Sequence, residues 1–165
     1  SKHQNLDTSR GQIQDGIAEC LEHAKDAEVI LAIEPLHPMY AAERSAINSM
    51  AQANTICENL DNHPNVGVAL DVYHTWWDEK LSEEISRSFN NGNLTSYHIC
   101  DWLSPMEDML NDRGLMGEGS IDINQISKWV TESGFTGFHE VEIFSERWWK
   151  IDQHDYLNKL ISYFE

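Results

Sequence analysis

Four side chains that can bind a metal ion each follow a run of apolar residues typical of a buried β-strand. The clearest run, residues 66–70, leads without polar interruption into Asp71, and the other three lead into Glu34, His98 and Glu142. An ionised carboxylate buried without a partner costs on the order of several kcal/mol, so such a group is expected where it can meet a cation, a donor or solvent. The pattern predicts that four strands each deliver one metal-binding side chain at the carboxyl end.

Two glutamates, one aspartate and one histidine form an oxygen-rich ligand set that suits Mn²⁺, Mg²⁺ or Co²⁺ and tolerates Zn²⁺ or Fe²⁺. Four protein ligands leave one or two coordination positions open for the adjacent oxygens of a hydroxyketone. The ion would then act as a Lewis acid and stabilise the enediolate that forms when a neighbouring C–H proton is removed. One carboxylate can take that proton and a second can return it. Each residue alone could instead cap a loop, but the four together predict a metal site.

The roles of two further residues, Glu140 and Arg113, remain open between alternatives. Strand alternation puts Glu140 on the same side as Glu142, which makes Glu140 a possible alternative ligand. Arg113 lies in a glycine-flanked loop, where its planar donor fork could hold a carboxylate or vicinal hydroxyls. The alternative for Arg113 is a surface ion pair with Asp112 or Glu118.

The elements that must position these residues alternate between helix and strand. A first helix ends near residue 27, strands are expected at 29–34, 66–71, 94–101 and 137–144, and helices at 43–60, 79–89, 122–132 and 156–164. Strict alternation predicts a parallel sheet with right-handed crossovers. An open doubly wound sheet usually has a glycine fingerprint after its first strand, whereas Pro35 and Pro38 follow here. A (β/α)8 barrel places its site at the carboxyl ends of several strands, which is the distribution seen.

The length of the chain limits how much of such a barrel it can form. A closed barrel needs about 250 residues, and this chain has 165. We therefore predict one α/β domain, residues 1–165, that forms the C-terminal half of a (β/α)8 TIM barrel, with about four βα units after a first helix and the N-terminal half missing. A half-barrel alone would expose sheet edges and an apolar layer, so a homo-oligomer is one expected outcome.

The composition bears on partners and location. With 11 Lys and Arg against 28 Asp and Glu, the formal net charge is −17, which argues against binding to nucleic acid or to anionic membranes. No apolar run approaches the roughly 20 residues of a membrane span, and residues 1–5 have no signal-peptide character, so a cytoplasmic location is expected. The odd number and apolar surroundings of Cys20, Cys57 and Cys100 predict reduced core thiols.

Five segments together resemble the xylose-isomerase-like TIM barrel superfamily of sugar phosphate isomerases and epimerases: AIEPLHP at 32–38, LDVYH at 70–74, YHICDW at 97–102, DRGLMGEG at 112–119 and VEIF at 141–144. The resemblance implies that four residues bind one divalent ion, commonly Mn²⁺, Co²⁺ or Mg²⁺: Glu34, Asp71, His98 and Glu142. It implies that Glu34 and Glu142 are also the catalytic acid and base, and that His74 and Arg113 contact substrate oxygens.

The expected activity is therefore isomerisation or epimerisation of a small sugar or polyol ketone, and dehydratase chemistry remains open because it begins with the same proton abstraction. The fold does not identify the sugar. One alternative is an endonuclease IV-like DNA repair enzyme with three zinc ions. That enzyme needs Asp-x-His after the seventh strand, where this chain reads Asp112-Arg113-Gly114. A second alternative is a catalytically silent relative that binds sugar.

Overall fold

Six strands occur in the structure, a computed structural model that describes residues 5–164. They are β1 (Leu31–Ile33), β2 (Val66–Asp71), β3 (Leu94–Ile99), β4 (Asp101–Trp102), β5 (Arg113–Gly114) and β6 (His139–Val141). Strands β1, β2, β3 and β6 form one parallel sheet in that spatial order, and β4 pairs with β5 in an antiparallel pair. The spatial order follows the chain order, whereas a doubly wound sheet reverses direction at a switch point. The predicted fold class is confirmed: the chain forms part of a (β/α)8 barrel.

Six helices accompany the strands: α1 (Leu6–Asp26), α2 (Met50–Asn59), α3 (Val72–Thr75), α4 (Leu81–Asn90), α5 (Ile123–Ser133) and α6 (Gln153–Ser162). Polar side chains cap several N-termini, as expected where the first backbone N–H groups lack helical partners. The side chain of Asn5 caps α1, that of Ser49 caps α2 and that of Asp122 caps α5. Helix α2 packs on β2 and against α4, and α4 packs against α5.

Several helices and strands are shorter than the sequence predicts. The second helix begins at Met50 rather than near residue 43, because the backbone N–H groups of Arg44 and Ser45 both donate to the Tyr40 carbonyl and hold a tight turn. Strand β1 covers three residues of the predicted 29–34, and β6 covers three of 137–144. Both lie at the ends of the sheet, where a strand has one neighbour to define its length.

The core lies around β2 and β3. All six residues of β2 are buried, as predicted for a strand covered on both faces. Tyr97 and Ile99 of β3 are buried with them, together with Ile85 and Val130 from the covering helices. At Gly67 the neighbouring strand comes so close that an added Cβ would lie 2.7 Å from the Asn93 carbonyl oxygen, so only glycine fits.

Both outer strands of the sheet are open within residues 5–164, since neither β1 nor β6 has a second strand partner there. Large apolar side chains next to these strands are exposed, with 48% exposure at Val29, 52% at Ile30 and 84% at Phe138. The exposed edges and apolar residues agree with the expectation for part of a barrel.

Two remaining sequence predictions concern cysteines and membrane spans. Cys20, Cys57 and Cys100 are all free thiols, as predicted, and Cys57 and Cys100 are buried. The predicted place of Cys20 in the core is wrong, because that residue lies on the exposed side of α1. No helix within residues 5–164 is long and apolar enough to cross a membrane. The opening residues 1–4, on which the targeting expectation partly rests, lie outside the described part of the chain.

Candidate metal and substrate site

The four predicted ligand residues lie together at the carboxyl ends of the parallel strands. Glu34 follows β1, Asp71 ends β2, His98 lies in β3 and Glu142 follows β6. One ligand atom from each residue lies within 4.8 Å of the others, and no other such group of three or more His, Cys, Asp or Glu occurs within residues 5–164. Strand register accounts for the convergence, because Asp71 is paired directly with His98 across β2 and β3.

Glu140, the alternative ligand, lies outside this group. The side chain is exposed, although strand pairing places Glu140 beside His98. Strand β6 is the outer strand of the sheet, and its first two residues face solvent. The possibility that Glu140 binds the ion is therefore a wrong prediction.

Two buried atoms of the cluster fit a bound cation. His98 Nδ1 lies 3.4 Å from Glu34 Oε1 and 3.8 Å from Glu142 Oε2. Neither His98 Nδ1 nor Glu34 Oε1 has a hydrogen-bond partner, although both are buried. Buried polar atoms are rarely left without a partner, and a divalent ion between these lone pairs would satisfy both. Three carboxylates and one imidazole match the ligands that Mn²⁺, Co²⁺ and Zn²⁺ accept.

The cluster changes the pKa values of its members. Burial acts to raise the pKa of Glu34, but neighbouring His98, His74 and Arg113 outweigh burial and leave that pKa below its usual value. Contact with Glu34 raises the pKa of His98 despite the opposing effect of burial. Burial raises the pKa of Asp71, while Arg113 opposes the rise. The site is thus rich in negative charge that a cation would stabilise.

We expect Mn²⁺ affinity to fall as the pH drops through the pKa of His98. A proton on the imidazole competes with the ion for the nitrogen lone pair. Because Glu34 raises the pKa of His98 above the ordinary 6.5, the loss should begin at a higher pH than for a solvent-exposed histidine. Calorimetric titration with Mn²⁺ between about pH 5.5 and 8 measures the effect, and we expect about a tenfold loss per pH unit below the pKa.

His139→Gln is the control for that titration, because His139 lies on β6 outside the cluster and packs on the ring of Tyr97. This variant should keep the pH dependence, whereas His98→Gln should lose both the pH dependence and much of the affinity. An affinity that stays constant over the whole range would contradict a role for His98 as a ligand.

Arg113 is buried inside the site. Its Nη1 atom lies 2.9 Å from Asp71 Oδ2 and 2.9 Å from Glu142 Oε2, and it donates a hydrogen bond to each. Its Nη2 atom lies 3.3 Å from His74 Nε2. The pairing of β5 with β4 sets Arg113 opposite Trp102 and directs the guanidinium inward.

The alternative that Arg113 forms a surface ion pair with Asp112 or Glu118 is wrong. Glu118 pairs with Arg147. The carboxylate of Asp112 accepts a hydrogen bond from the backbone of Glu107.

His74, the other predicted substrate contact, is a buried neutral imidazole. Its Nδ1 accepts a hydrogen bond from the backbone N–H of His37 at 3.1 Å, and its Nε2 lies 3.3 Å from Arg113 Nη2, so donors face both ring nitrogens. Burial, with help from the charge of Arg113, lowers the pKa of His74 to about 3. The ring therefore remains neutral across the physiological pH range.

A buried carboxylate not predicted as functional, Asp101, holds the loop that carries Arg113. Its two oxygens accept four backbone hydrogen bonds at 2.8 to 3.0 Å, from Trp102, Gly117, Gly119 and Ile121. Farther along the loop, the hydroxyls of Tyr40 and Tyr73 donate to the carbonyl of Met109. A sequence signal existed, since Asp101 directly follows a buried strand and precedes a glycine-rich loop.

A cavity of about 500 Å³ opens beside the cluster. Such a volume suits a small ligand. Glu34, Glu142, His74 and Arg113 line it, and the rest of the lining consists of Leu36, Tyr40, Arg44, Leu110, Asn111, Phe144 and Trp149. The structure therefore brings all six predicted site residues together, with Asp71 and His98 behind those that line the cavity.

Known proteins share this fold. Protein SMc04130 from Sinorhizobium meliloti 1021 is 47% identical in sequence, with a TM-score of 0.92 over 98% of this chain and 58% of that protein. The IolI protein, solved with a zinc atom bound, is 24% identical with a TM-score of 0.79 over 97% of this chain and 56% of that protein. Because the identity to IolI is low, that likeness shows the fold alone.

Among characterised proteins, the chain is 24% identical over 141 residues to the L-ribulose-5-phosphate 3-epimerase UlaE of Salmonella typhi. The match covers 85% of this chain but 45% of UlaE, so the chain spans about half the length of that relative. Over residues 1–165 the sequence matches the profile of a family described as xylose isomerase-like TIM barrel. The chain therefore belongs to the xylose isomerase-like TIM barrel family.

Proposed function

We propose that this chain forms the metal-binding part of a sugar isomerase or epimerase that needs a divalent ion. The observation that carries the proposal is the cluster of Glu34, Asp71, His98 and Glu142, with ligand atoms within 4.8 Å of one another, beside a cavity of about 500 Å³. The similarity to a sugar-phosphate epimerase supports the same class of reaction. Mn²⁺, Co²⁺ or Mg²⁺ is the proposed cofactor, and Zn²⁺ also fits the ligand set.

Different residues of the chain have different roles in the proposed proton transfer. Glu34, Asp71, His98 and Glu142 would hold the ion, which would polarise the adjacent carbonyl and hydroxyl oxygens of the substrate and so acidify the C–H bond next to the carbonyl. Glu142 and Glu34 exchange the proton: one removes it and the other returns it to the opposite face or to the neighbouring carbon. The lowered pKa of Glu34 keeps that carboxylate ionised at neutral pH and able to accept a proton. His74 and Arg113 orient the substrate oxygens.

Solvent exchange tests this proposal directly. With Mn²⁺ in D₂O, we expect deuterium to enter the substrate at the carbon next to the carbonyl in at least one member of a panel containing L-ribulose, L-ribulose 5-phosphate and an inosose. Mass spectrometry and proton NMR measure the incorporation. A chain that binds these sugars but incorporates no deuterium in any of them would contradict the proposed activity and favour the silent sugar-binding alternative.

Elemental analysis separates the DNA-repair alternative. The proposed isomerase should hold one ion per chain, because residues 5–164 contain one cluster of metal-binding side chains. Three zinc ions per chain would instead favour an endonuclease IV-like enzyme.

The domain assignment stays a prediction. We infer that residues 1–165 are the carboxyl half of a barrel, and that the remaining pocket wall comes from an amino half or from another copy of the chain. The sheet edges left open at β1 and β6 support this inference, as does the match to about half the length of UlaE.

A further inference from the structure

One arginine in this acidic chain lacks the ion pair that the others have. The chain contains five arginines, and four of them pair with carboxylates: Arg10 with Asp7, Arg87 with Glu58 and Glu84, Arg113 with Asp71 and Glu142, and Arg147 with Glu118. The exception is Arg44, which has no ion-pair partner among residues 5–164. Because Arg44 is exposed and exposed ion pairs contribute little to stability, it is the position of Arg44 at the cavity that indicates a role.

Arg44 lines the same cavity as the proposed acid and base. Its guanidinium carbon lies 5.2 Å from the centre of the Tyr40 ring, and that ring lies 5.8 Å from the ring of His74. The backbone N–H of Arg44 donates to the Tyr40 carbonyl at 2.9 Å, which fixes the start of the side chain. Tyr40 itself is buried. Stacking on a fixed aromatic ring holds the guanidinium at the cavity, where its N–H groups have no carboxylate acceptor among residues 5–164.

The positive charge of Arg44 is not balanced by the other charged groups around the cavity. A divalent ion bound by the metal cluster would, together with Arg113, offset its three carboxylates. No other acidic side chain lines the cavity. Asp108, whose charge also reaches Tyr40, accepts hydrogen bonds from the backbone of Leu110 and Asn111 instead. A positive charge without a carboxylate partner therefore lines the space that the substrate would fill.

We propose that Arg44 binds an anionic group, a phosphate or a carboxylate, on the part of the sugar substrate remote from the reacting carbonyl. The inference rests on the proposed function, because it assumes that the sugar occupies this cavity with its carbonyl at the metal cluster. Arginine suits the role because its planar fork can donate two parallel hydrogen bonds to either anion. Arg44 would thus make charged ketoses bind more tightly than uncharged ones, while Glu34 and Glu142 carry out the proton transfer.

Equilibrium binding to the Mn²⁺-loaded protein tests the proposal without needing turnover. The probes are L-ribulose 5-phosphate, D-fructuronate and L-ribulose, which carry a phosphate, a carboxylate and no anionic group. Either the phosphate or the carboxylate probe should bind at least about 10-fold more tightly than L-ribulose, and the tighter of the two identifies the anion. Arg44→Gln should weaken binding of that probe by about 10- to 100-fold and leave L-ribulose unaffected, while Arg44→Lys should recover part of the loss.

Lys128→Gln is the matched control, because it removes one positive charge from an exposed position on α5. This variant should change none of the three affinities. If Arg44→Gln leaves the preference for the charged probe intact, or if the three probes bind equally well to the parent protein, the proposal is overturned.

Deuterium exchange keeps the two proposals apart. If deuterium enters L-ribulose but no charged probe binds more tightly, the isomerase activity is supported and the role of Arg44 is contradicted. If the charged probe binds more tightly in a way that depends on Arg44, but no deuterium enters any sugar, the anion site is supported and the isomerase activity is contradicted.

Discussion

Glu142→Gln is expected to lower the rate of solvent-deuterium exchange by about 10²- to 10⁴-fold, the usual contribution of a general acid or base. The amide keeps the shape of the side chain and one oxygen that can approach a cation, but it cannot accept the substrate proton at neutral pH. Loss of the charge also removes one of the two carboxylates that form ion pairs with Arg113 Nη1, at 2.9 Å. Exchange rates at saturating Mn²⁺ measure the effect, and bound Mn²⁺ is counted alongside to separate lost chemistry from lost metal.

Glu140→Gln is the control for that measurement. It makes the same chemical change two residues earlier, at an exposed position outside the cluster. We expect exchange within about twofold of the parent protein, because distant surface substitutions have small effects. Equal losses in the two variants, or undiminished exchange in Glu142→Gln, would rule out Glu142 as the residue that moves the proton.

Arg113→Met is expected to lower the free energy of unfolding by about 3–5 kcal/mol, the range found when one partner of a buried ion pair is removed. Asp71 is fully buried, and Arg113 lies 2.9 Å from one of its carboxylate oxygens. Without the guanidinium, the buried carboxyl must either keep an unpaired charge or take up a proton, and one backbone hydrogen bond, from Tyr73, remains to it. Urea unfolding with a chelator present measures the loss, since a bound cation would replace part of the missing charge.

Two further variants control this prediction. Arg147→Gln removes an exposed ion pair with Glu118 and should cost less than about 1 kcal/mol. Asp71→Asn combined with Arg113→Met should recover part of the loss, because it removes the charge that the single variant leaves unpaired. A loss below about 1 kcal/mol for Arg113→Met alone would show that Asp71 does not depend on Arg113.

The ligand cluster could be predicted from sequence because each member marks the end of a local apolar run. Glu34, Asp71, His98 and Glu142 follow from strand patterns that involve few residues, and parallel pairing then brings the strand ends together. The four strands of the parallel sheet and the helices α1, α2, α4, α5 and α6 were predicted for the same reason, since their periodicity is local, whereas α3 and the pairing of β4 with β5 were not predicted.

The surroundings of the ligands depend on contacts between distant parts of the chain, which local patterns do not show. Arg113 faces inward because β5 pairs with β4 and because Asp101 holds the segment that follows β5, through Gly117, Gly119 and Ile121. Arg44 reaches the cavity because the turn after Tyr40 replaces the first part of the predicted second helix. Cys20 shows that a local pattern can also mislead. Its neighbours in the sequence are apolar, but the residue itself is exposed.

The four hydrogen bonds to Asp101 separate the loop into a fixed base and an interchangeable tip. The base holds Trp102 and the segment from Gly117 to Ile121 in place, and the inward direction of Arg113 is set by its pairing with Trp102. Residues 104–110 are mostly exposed and add Leu110 to the cavity wall. Tips of different length and composition can therefore be grafted between the same anchors, which gives a route to altered sugar preference that leaves the proton-transfer residues untouched.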